Sequence, residues 1–215
     1  MLNLSFGNRP SMTILCLGAH CDDIEIGCGG AVLKYIREIK EVKVHWVVFS
    51  SDARREKEAS ACAREFLEPA RDKHIAIHRF RNSFFPYCGG EIKECFEKLK
   101  EAVTPDIIFT HCGGDAHQDH RIINELTWNT FRNHLILEYE IAKYDADLRS
   151  PNAFIHLDEA TCREKVRLIM KHFISQSDKM WFTEDLFLSV MRIRGMESNS
   201  PSGYAEGYYC RKFSL

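Results

Sequence analysis

The 215-residue sequence predicts an α/β fold built on a mostly parallel sheet flanked by helices. Three observations carry that expectation. Short apolar or β-branched runs alternate with longer segments of helical periodicity, at the spacing of βαβ units. The length suits one hydrophobic core, and neither an internal repeat nor a Pro/Gly-rich linker divides the chain. A composition of 45% hydrophobic and 28% charged residues excludes disordered, collagen-like and low-complexity classes.

Each element follows from its own pattern. Met12 to Leu17 is a short apolar run ending at Gly18, as in a buried strand. Cys28 to Lys40 carries Ala31, Val32, Tyr35, Ile36 and Ile39 at helical spacing. Val42 to Phe49 is β-branched and reads as a second strand, followed by a helix over Ala53 to Leu67. His74 to Phe80 alternates apolar and polar residues as a third strand. Glu91 to Val103 places Ile92, Cys95, Phe96, Leu99 and Val103 on one side of a helix, and Pro105-Asp106 introduces the strand Ile107 to Thr110. A helix over Asp119 to Phe131, a strand over His134 to Glu140, helices over Glu159 to Phe173 and Thr183 to Arg194, and a last strand over Tyr204 to Phe213 complete the series. Ser198 to Gly203 is expected to be a mobile loop. The whole, residues 1–215, is expected to be a single Rossmann-like domain.

Charge and cysteine usage narrow the function. Lys+Arg 29 against Asp+Glu 31 gives a net charge of −2, with no surplus cation to neutralise a phosphate backbone, so nucleic-acid binding is not expected. No apolar run reaches the length of a membrane span, and the first ten residues do not read as a secretory signal. Nine cysteines, odd in number and without a CxxC pair, indicate reduced thiols in a cytoplasmic protein. Nothing in the sequence decides between a monomer and a homo-oligomer.

In parallel sheets, ligands bind beyond the carboxyl ends of the strands. Two loops at such ends are dense in polar groups. The first reads Gly18-Ala19-His20-Cys21-Asp22-Asp23-Ile24-Glu25-Ile26-Gly27 and offers one imidazole and two adjacent carboxylates. One carboxylate can bind a metal while the other accepts a proton from activated water. The second reads His111-Cys112-Gly113-Gly114-Asp115-Ala116-His117-Gln118-Asp119-His120-Arg121. With a helix beginning near Asp119, His117 and His120 can face one pocket, and Asp119 can orient a histidine ring. Blander readings exist for each part: a lone loop histidine, or Asp22-Asp23 as a helix cap. Gly27-Cys28-Gly29-Gly30 resembles a dinucleotide loop, but the GxGxxG frame requires Gly where Val32 stands.

His20-Cys21-Asp22-Asp23 after one strand and His117-Gln118-Asp119-His120 after another resemble the LmbE/PIG-L family of metal-dependent N-deacetylases, which act on N-acetylglucosamine-type sugars. Tyr204-Ala205-Glu206 looks like that family's C-terminal Ala-Glu signature, so the resemblance covers most of the chain. It implies His20, Asp23 and His120 as metal ligands and Asp22 as general base. It implies His117 as stabiliser of the developing charge or proton donor to the leaving amine, held by Asp119. The implied cofactor is Zn2+, with Fe2+ or another divalent ion as alternatives, and the implied partner is a small acetamido-sugar substrate. Arg55, Asp115, Glu140, Arg194, Tyr204 and Glu206 are candidate substrate-binding residues, against a reading as satisfied loop and core-edge groups. Arg55 also stands at i, i+3 from Glu58, the spacing of a surface ion pair. The family has Pro where this chain has Cys21, and neither Cys21 nor Cys112 is expected to ligate, because a hydrolytic site keeps one position open. A non-catalytic metal- or nucleotide-binding module, or a hydrolase of another amide or ester, is the alternative.

Overall fold

The computed structural model describes residues 9–214. Residues 1–8, part of the segment read above for a secretory signal, lie outside the described residues. In chain order the elements are β1 (Ser11–Gly18), α1 (Asp23–Glu38), β2 (Glu41–Val48), α2 (Ala53–Phe66), β3 (Asp72–Ile77), α3 (Gly89–Ala102) and β4 (Ile107–His111). There follow α4 (Gln118–Thr130), β5 (Leu135–Tyr139), β6 (Ala153–Leu157), α5 (Glu159–His172), α6 (Glu184–Glu197) and β7 (Tyr204–Tyr209).

Side-chain parity divides the core in two. Along β1, Met12, Ile14 and Cys16 enter one apolar cluster while Leu15 and Leu17 enter the other. Ile107 and Phe109 of β4 oppose Ile108, and Leu137 and Tyr139 of β5 oppose Ile136, as the two-residue strand period requires. Helices α1, α2, α5 and α6 cover the first face, and α3 and α4 the second. Strands buried on both faces need continuous apolar runs, and these are the runs that made β1, β2 and β4 readable.

The sheet order is β3-β2-β1-β4-β5-β7-β6. β1 to β5 are mutually parallel, and β7 runs antiparallel between β5 and β6. The chain winds outward from β1 through β2 to β3, then returns to the other side of β1 with β4. The switch point therefore lies between β1 and β4, where the loops after both strands meet.

Several boundaries differ from expectation. Helix α1 begins at Asp23, five residues before Cys28, because Asp23 and Glu25 suit the positive end of a helix dipole although they interrupt the apolar pattern. Strand β6 was not expected; it is only five residues long and directly follows Pro151-Asn152. The Ser198–Gly203 stretch is a bonded turn, with Ser198 N–H on Arg194 O, Ser200 N–H on Gly195 O and Gly203 N–H on Ser200 O.

Two contacts fix α1 against the sheet. A Cβ on Gly27 would stand 2.1 Å from the Tyr139 ring, so only glycine allows the helix this close to β5. Beyond it, the buried Lys165 Nζ donates to Ile26 O at 2.6 Å and to Glu206 Oε1 at 2.7 Å. Glu206 in turn accepts the N–H groups of Gly30 and Ala31, both at 2.8 Å, and the Tyr208 hydroxyl at 2.6 Å. Ile26 O and Gly30 N–H are partners in a regular helix, so the ion pair is threaded onto one rung of α1. Removing one member leaves the other charge buried alone. Lys165→Met should therefore lower stability by about 3–5 kcal/mol, read by urea unfolding. A wild-type midpoint in that variant would show the pair to be dispensable.

Candidate metal centre

The first loop leaves β1 at Gly18 and enters α1 within four residues, which brings His20, Asp22 and Asp23 together at the sheet edge. The backbone N–H of His20 donates to Asp23 Oδ2 at 2.6 Å and closes this turn. The second loop enters α4 with His117 at its N-cap, where the ring Nδ1 accepts the N–H of Asp119 at 3.2 Å. His120 then falls in the first helical turn and points back toward β1.

Three atoms converge there. His20 Nδ1 lies 3.1 Å from His120 Nε2 and 3.3 Å from Asp23 Oδ2, and His120 Nε2 lies 3.5 Å from Asp23 Oδ2. Ligands bound at zinc-like distances with tetrahedral angles stand about 3.3 Å apart, so the triangle has the dimensions of one coordination face. The far nitrogens are occupied: His20 Nε2 lies 3.3 Å from Asp119 Oδ2, and His120 Nδ1 lies 2.9 Å from Asp115 Oδ2. Each carboxylate takes the N–H of its own ring and turns the other nitrogen's lone pair inward. Two lone pairs and a carboxylate oxygen facing one another require a cation or a proton between them. The residues present fit a small divalent metal.

The crowding of these groups shifts their titration. Burial alone would lower His20, but Asp23 and Asp119 outweigh it and raise the ring to about 9, so a proton is retained there without metal. Burial would raise the Asp23 carboxyl, yet His120, His111 and His20 hold it well below the usual carboxylate range. Burial and the neighbouring His111 push His120 down to about 3. His117 is also lowered, first by burial and then by His20.

The candidate residues separate into two groups. His20, Asp22, Asp23, His117, Asp119 and His120 come together, and Arg55 joins them with Nη2 on Asp22 Oδ1 at 2.6 Å. Glu58 does not pair with Arg55; it contacts Arg54 and the Ser175 N–H. Asp119 reaches both rings: its carboxylate accepts from Ser83 and Phe85 N–H and faces His20, while its backbone N–H donates to His117 Nδ1. Asp115 Oδ2 lies 2.9 Å from His120 Nδ1, with Lys143 Nζ on the same oxygen at 3.0 Å. Glu140 and Arg194 bond each other at 2.6 and 2.7 Å, apart from this cluster. Glu206 is committed to α1 and Lys165 as described, and the Tyr204 ring lies beside Arg192. The Cys21 thiol turns to Ser50 O, and Cys112 Sγ accepts from Gly114 N–H.

Sequence reasoning gave no role to His111, Lys143 or the loop after β3. The fully buried His111 ring stacks on His120 at 3.8 Å, and its Nε2 lies 3.2 Å from Asp23 Oδ2 and 2.9 Å from the Ala19 nitrogen. Its position as the last residue of a buried strand was the available signal. Lys143 reaches the site from beyond β5, and no local pattern marks it.

Residues 15–131, more than half of the chain and including both loops, match the PIG-L family model, described as GlcNAc-PI de-N-acetylase. No curated protein matches the chain. Among solved structures, N,N'-diacetylchitobiose deacetylase from Pyrococcus horikoshii is 20% identical, with 93% of this chain and 83% of that chain covered and a TM-score of 0.68. A zinc-inhibited form of the teicoplanin deacetylase Orf2 is 12% identical over 92% of this chain and 97% of that one, with a TM-score of 0.70. The 4-carboxy-2-hydroxymuconate hydratase GalB from Pseudomonas putida is 13% identical over 95% and 98%, with a TM-score of 0.71. These likenesses show a shared fold, and the family match over both polar loops shows more: the chain belongs to the PIG-L family of de-N-acetylases.

Proposed function

We propose that the protein is a divalent-metal-dependent hydrolase that removes the N-acetyl group from an N-acetylglucosamine-type sugar or conjugate. The observation that carries this reading is the triangle of inward-facing electron pairs on His20, Asp23 and His120, with a second carboxylate, Asp22, adjacent in the chain. Those three residues would hold the ion. A bound divalent cation, Zn2+ or Fe2+ among the candidates, supplies Lewis-acid polarisation of a carbonyl and water acidic enough to ionise near neutral pH.

The chain's own groups supply the rest. Arg55 fixes Asp22 through Oδ1 and leaves Oδ2 to accept the proton of the attacking water. His117 takes the Asp119 N–H on Nδ1, so its neutral ring carries the hydrogen on Nε2 and donates it toward the oxyanion of the tetrahedral intermediate. As the intermediate collapses the C–N bond breaks, the proton taken up by Asp22 passes to the leaving nitrogen, and the products are acetate and a free amino sugar. A structural zinc site closes with four protein ligands and has no use for Asp22 beside Asp23, which argues against the non-catalytic module. The free cysteines support a reducing, cytoplasmic setting.

Metal analysis of the purified protein, wild type beside His120→Ala, should find about one divalent ion per wild-type chain and a loss in the variant. The wild type should release acetate from a member of a panel of N-acetylated sugars. Asp22→Asn should retain the metal and lose roughly 10^2- to 10^4-fold in kcat. No metal uptake even after zinc or ferrous iron is added back would sink the reading, and metal without acetate from any amide would favour the non-catalytic module.

Protonation gives a separate check. The folded value of His20, about 9, lies above its ordinary 6.5. The protonated ring therefore stabilises the metal-free protein fully below pH 6.5, and that contribution is lost as pH rises through 9. Metal must displace this proton, so binding at pH 7.5 should release it and affinity should climb toward pH 9. Calorimetry in buffers of different ionisation enthalpy measures the release; a buffer-independent heat would contradict it. Asp119→Asn should weaken metal binding about 10- to 100-fold by freeing the His20 ring. Unaltered affinity in that variant would remove Asp119 from its positioning role.

A further inference from the structure

The segment between β3 and α3 runs along the same carboxyl edge of the sheet as the metal centre, tied by His78 N–H to Val48 O and Phe80 N–H to Phe49 O. It is then turned against the site. Ser83 adopts a left-handed φ of 65°, a costly conformation for a residue with a side chain. Three bonds hold it there: Ser83 N–H and Phe85 N–H on Asp119, and Gln118 Nε2 on Ser83 O at 2.5 Å. One carboxylate thus separates this backbone from His20. The Phe85 ring is buried, 6.2 Å from the His20 ring.

The outward side of the same turn differs in character. Successive bonds, Phe84 N–H to Arg81 O and Tyr87 N–H to Phe84 O, carry Arg81, Phe84 and Tyr87 three residues apart along it. The Arg81 guanidinium lies 3.5 Å over the Phe84 ring, and the Phe84 and Tyr87 rings stand 5.8 Å apart. Tyr87 is 82% exposed. Nearby Arg79 is neutralised by Glu56, whereas Arg81 has no carboxylate partner among the described residues. Arg81 is two residues from Ser83, a span of at most about 7 Å.

We propose that Arg81, Phe84 and Tyr87 form a subsite at the mouth of the metal centre for an anionic group, phosphate or carboxylate, carried by the acetamido-sugar substrate. The inference rests on the deacetylase reading and adds a substrate class to it. A guanidinium lying flat on an aromatic face keeps its N–H edges free, in the fork that matches two oxygens of a carboxylate or phosphate. Phe84 and Tyr87 beside it offer apolar faces to the sugar. The competing role for Arg81 is only to shield Phe84 from water.

The test uses the metal-loaded protein, as wild type, Arg81→Met and Arg81→Lys. Three substrates are compared: N-acetylglucosamine 1-phosphate, N-acetylmuramic acid and the neutral methyl N-acetylglucosaminide. Calorimetry with the corresponding amines, glucosamine 1-phosphate, muramic acid and methyl glucosaminide, gives binding independently of turnover. Wild type should favour at least one anionic ligand by about tenfold or more, the size of one charge-assisted hydrogen bond, with the effect in KM. Arg81→Met should abolish that preference, and Arg81→Lys should restore part of it. The arm that is favoured identifies phosphate or carboxylate. Equal handling of anionic and neutral ligands by the wild type, or an equal loss on both in Arg81→Met, would overturn the subsite. Acetate release without anion preference leaves the deacetylase reading standing and removes the subsite. Arg81-dependent anion binding with no acetate from any substrate does the reverse.

Discussion

Repulsion among three electron-pair donors organises this end of the molecule. His20 Nδ1, His120 Nε2 and Asp23 Oδ2 lie within 3.5 Å of one another, a cluster that a protein interior tolerates only around positive charge. Without metal, the cluster holds a proton on His20 well past its ordinary range. The two rings are held by bonds to their far nitrogens, so the cluster is rigid.

That rigidity is built outward in layers. Asp119 aims His20 and is itself fixed by two backbone N–H groups from the loop after β3. Asp115 aims His120 and is fixed by the His117 N–H and by Lys143, which also bonds Asp147 at 2.6 Å. Asp147 accepts the Ala116 N–H and so returns to the same loop. Even the chain end takes part: Arg211 holds Asn124, whose side chain bonds His111 O, and Glu138 gathers Gly113 N–H, Trp128 Nε1 and Arg211 Nε. Segments far apart in sequence thus share the work of holding two imidazoles still.

This layering explains which parts were readable from the amino-acid order. Strands buried on both faces write their presence as apolar runs, so β1, β2 and β4 could be placed from Met12–Leu17, Val42–Phe49 and Ile107–Thr110. The two polar loops were readable because β1 and β4 are where such loops carry chemistry, and all six of their candidate residues do assemble. The start of α1 was hidden because Asp23 and Glu25 serve the helix end and the site together. The partners of Asp119 and Asp115 were hidden for a different reason. One carboxylate can serve either of two nearby histidines, and the choice depends on backbone N–H groups from Ser83 and Phe85, some 35 residues earlier in the chain. Glu140, Arg194 and Glu206 show the converse. Charged residues near an active edge attract functional readings, yet here Glu140 pairs with Arg194 and Glu206 with Lys165.

The same fold also carries a hydratase, GalB, at a TM-score of 0.71, beside deacetylases at 0.68 and 0.70. The sheet and its switch point are therefore shared by proteins of different activity, and the fold by itself names no reaction. Selection of the reaction has to come from groups that meet the substrate rather than from those that build the edge. Asp22 and His117 stand at two helix starts of that edge. Asp22 is set by Arg55 at the start of α2, and His117 presents one N–H because the α4 backbone occupies its other nitrogen. Both positions follow from helix starts at the ends of parallel strands, where the chain leaves the sheet and its first side chains still point at the edge. The loop after β3 closes the third side and ties its backbone to Asp119, so a change in that rim reaches His20 through a single carboxylate. The rim and the His20–Asp23–His120 cluster are thereby joined in one short path, and variation of the rim is constrained to keep the Ser83 and Phe85 N–H groups where they are.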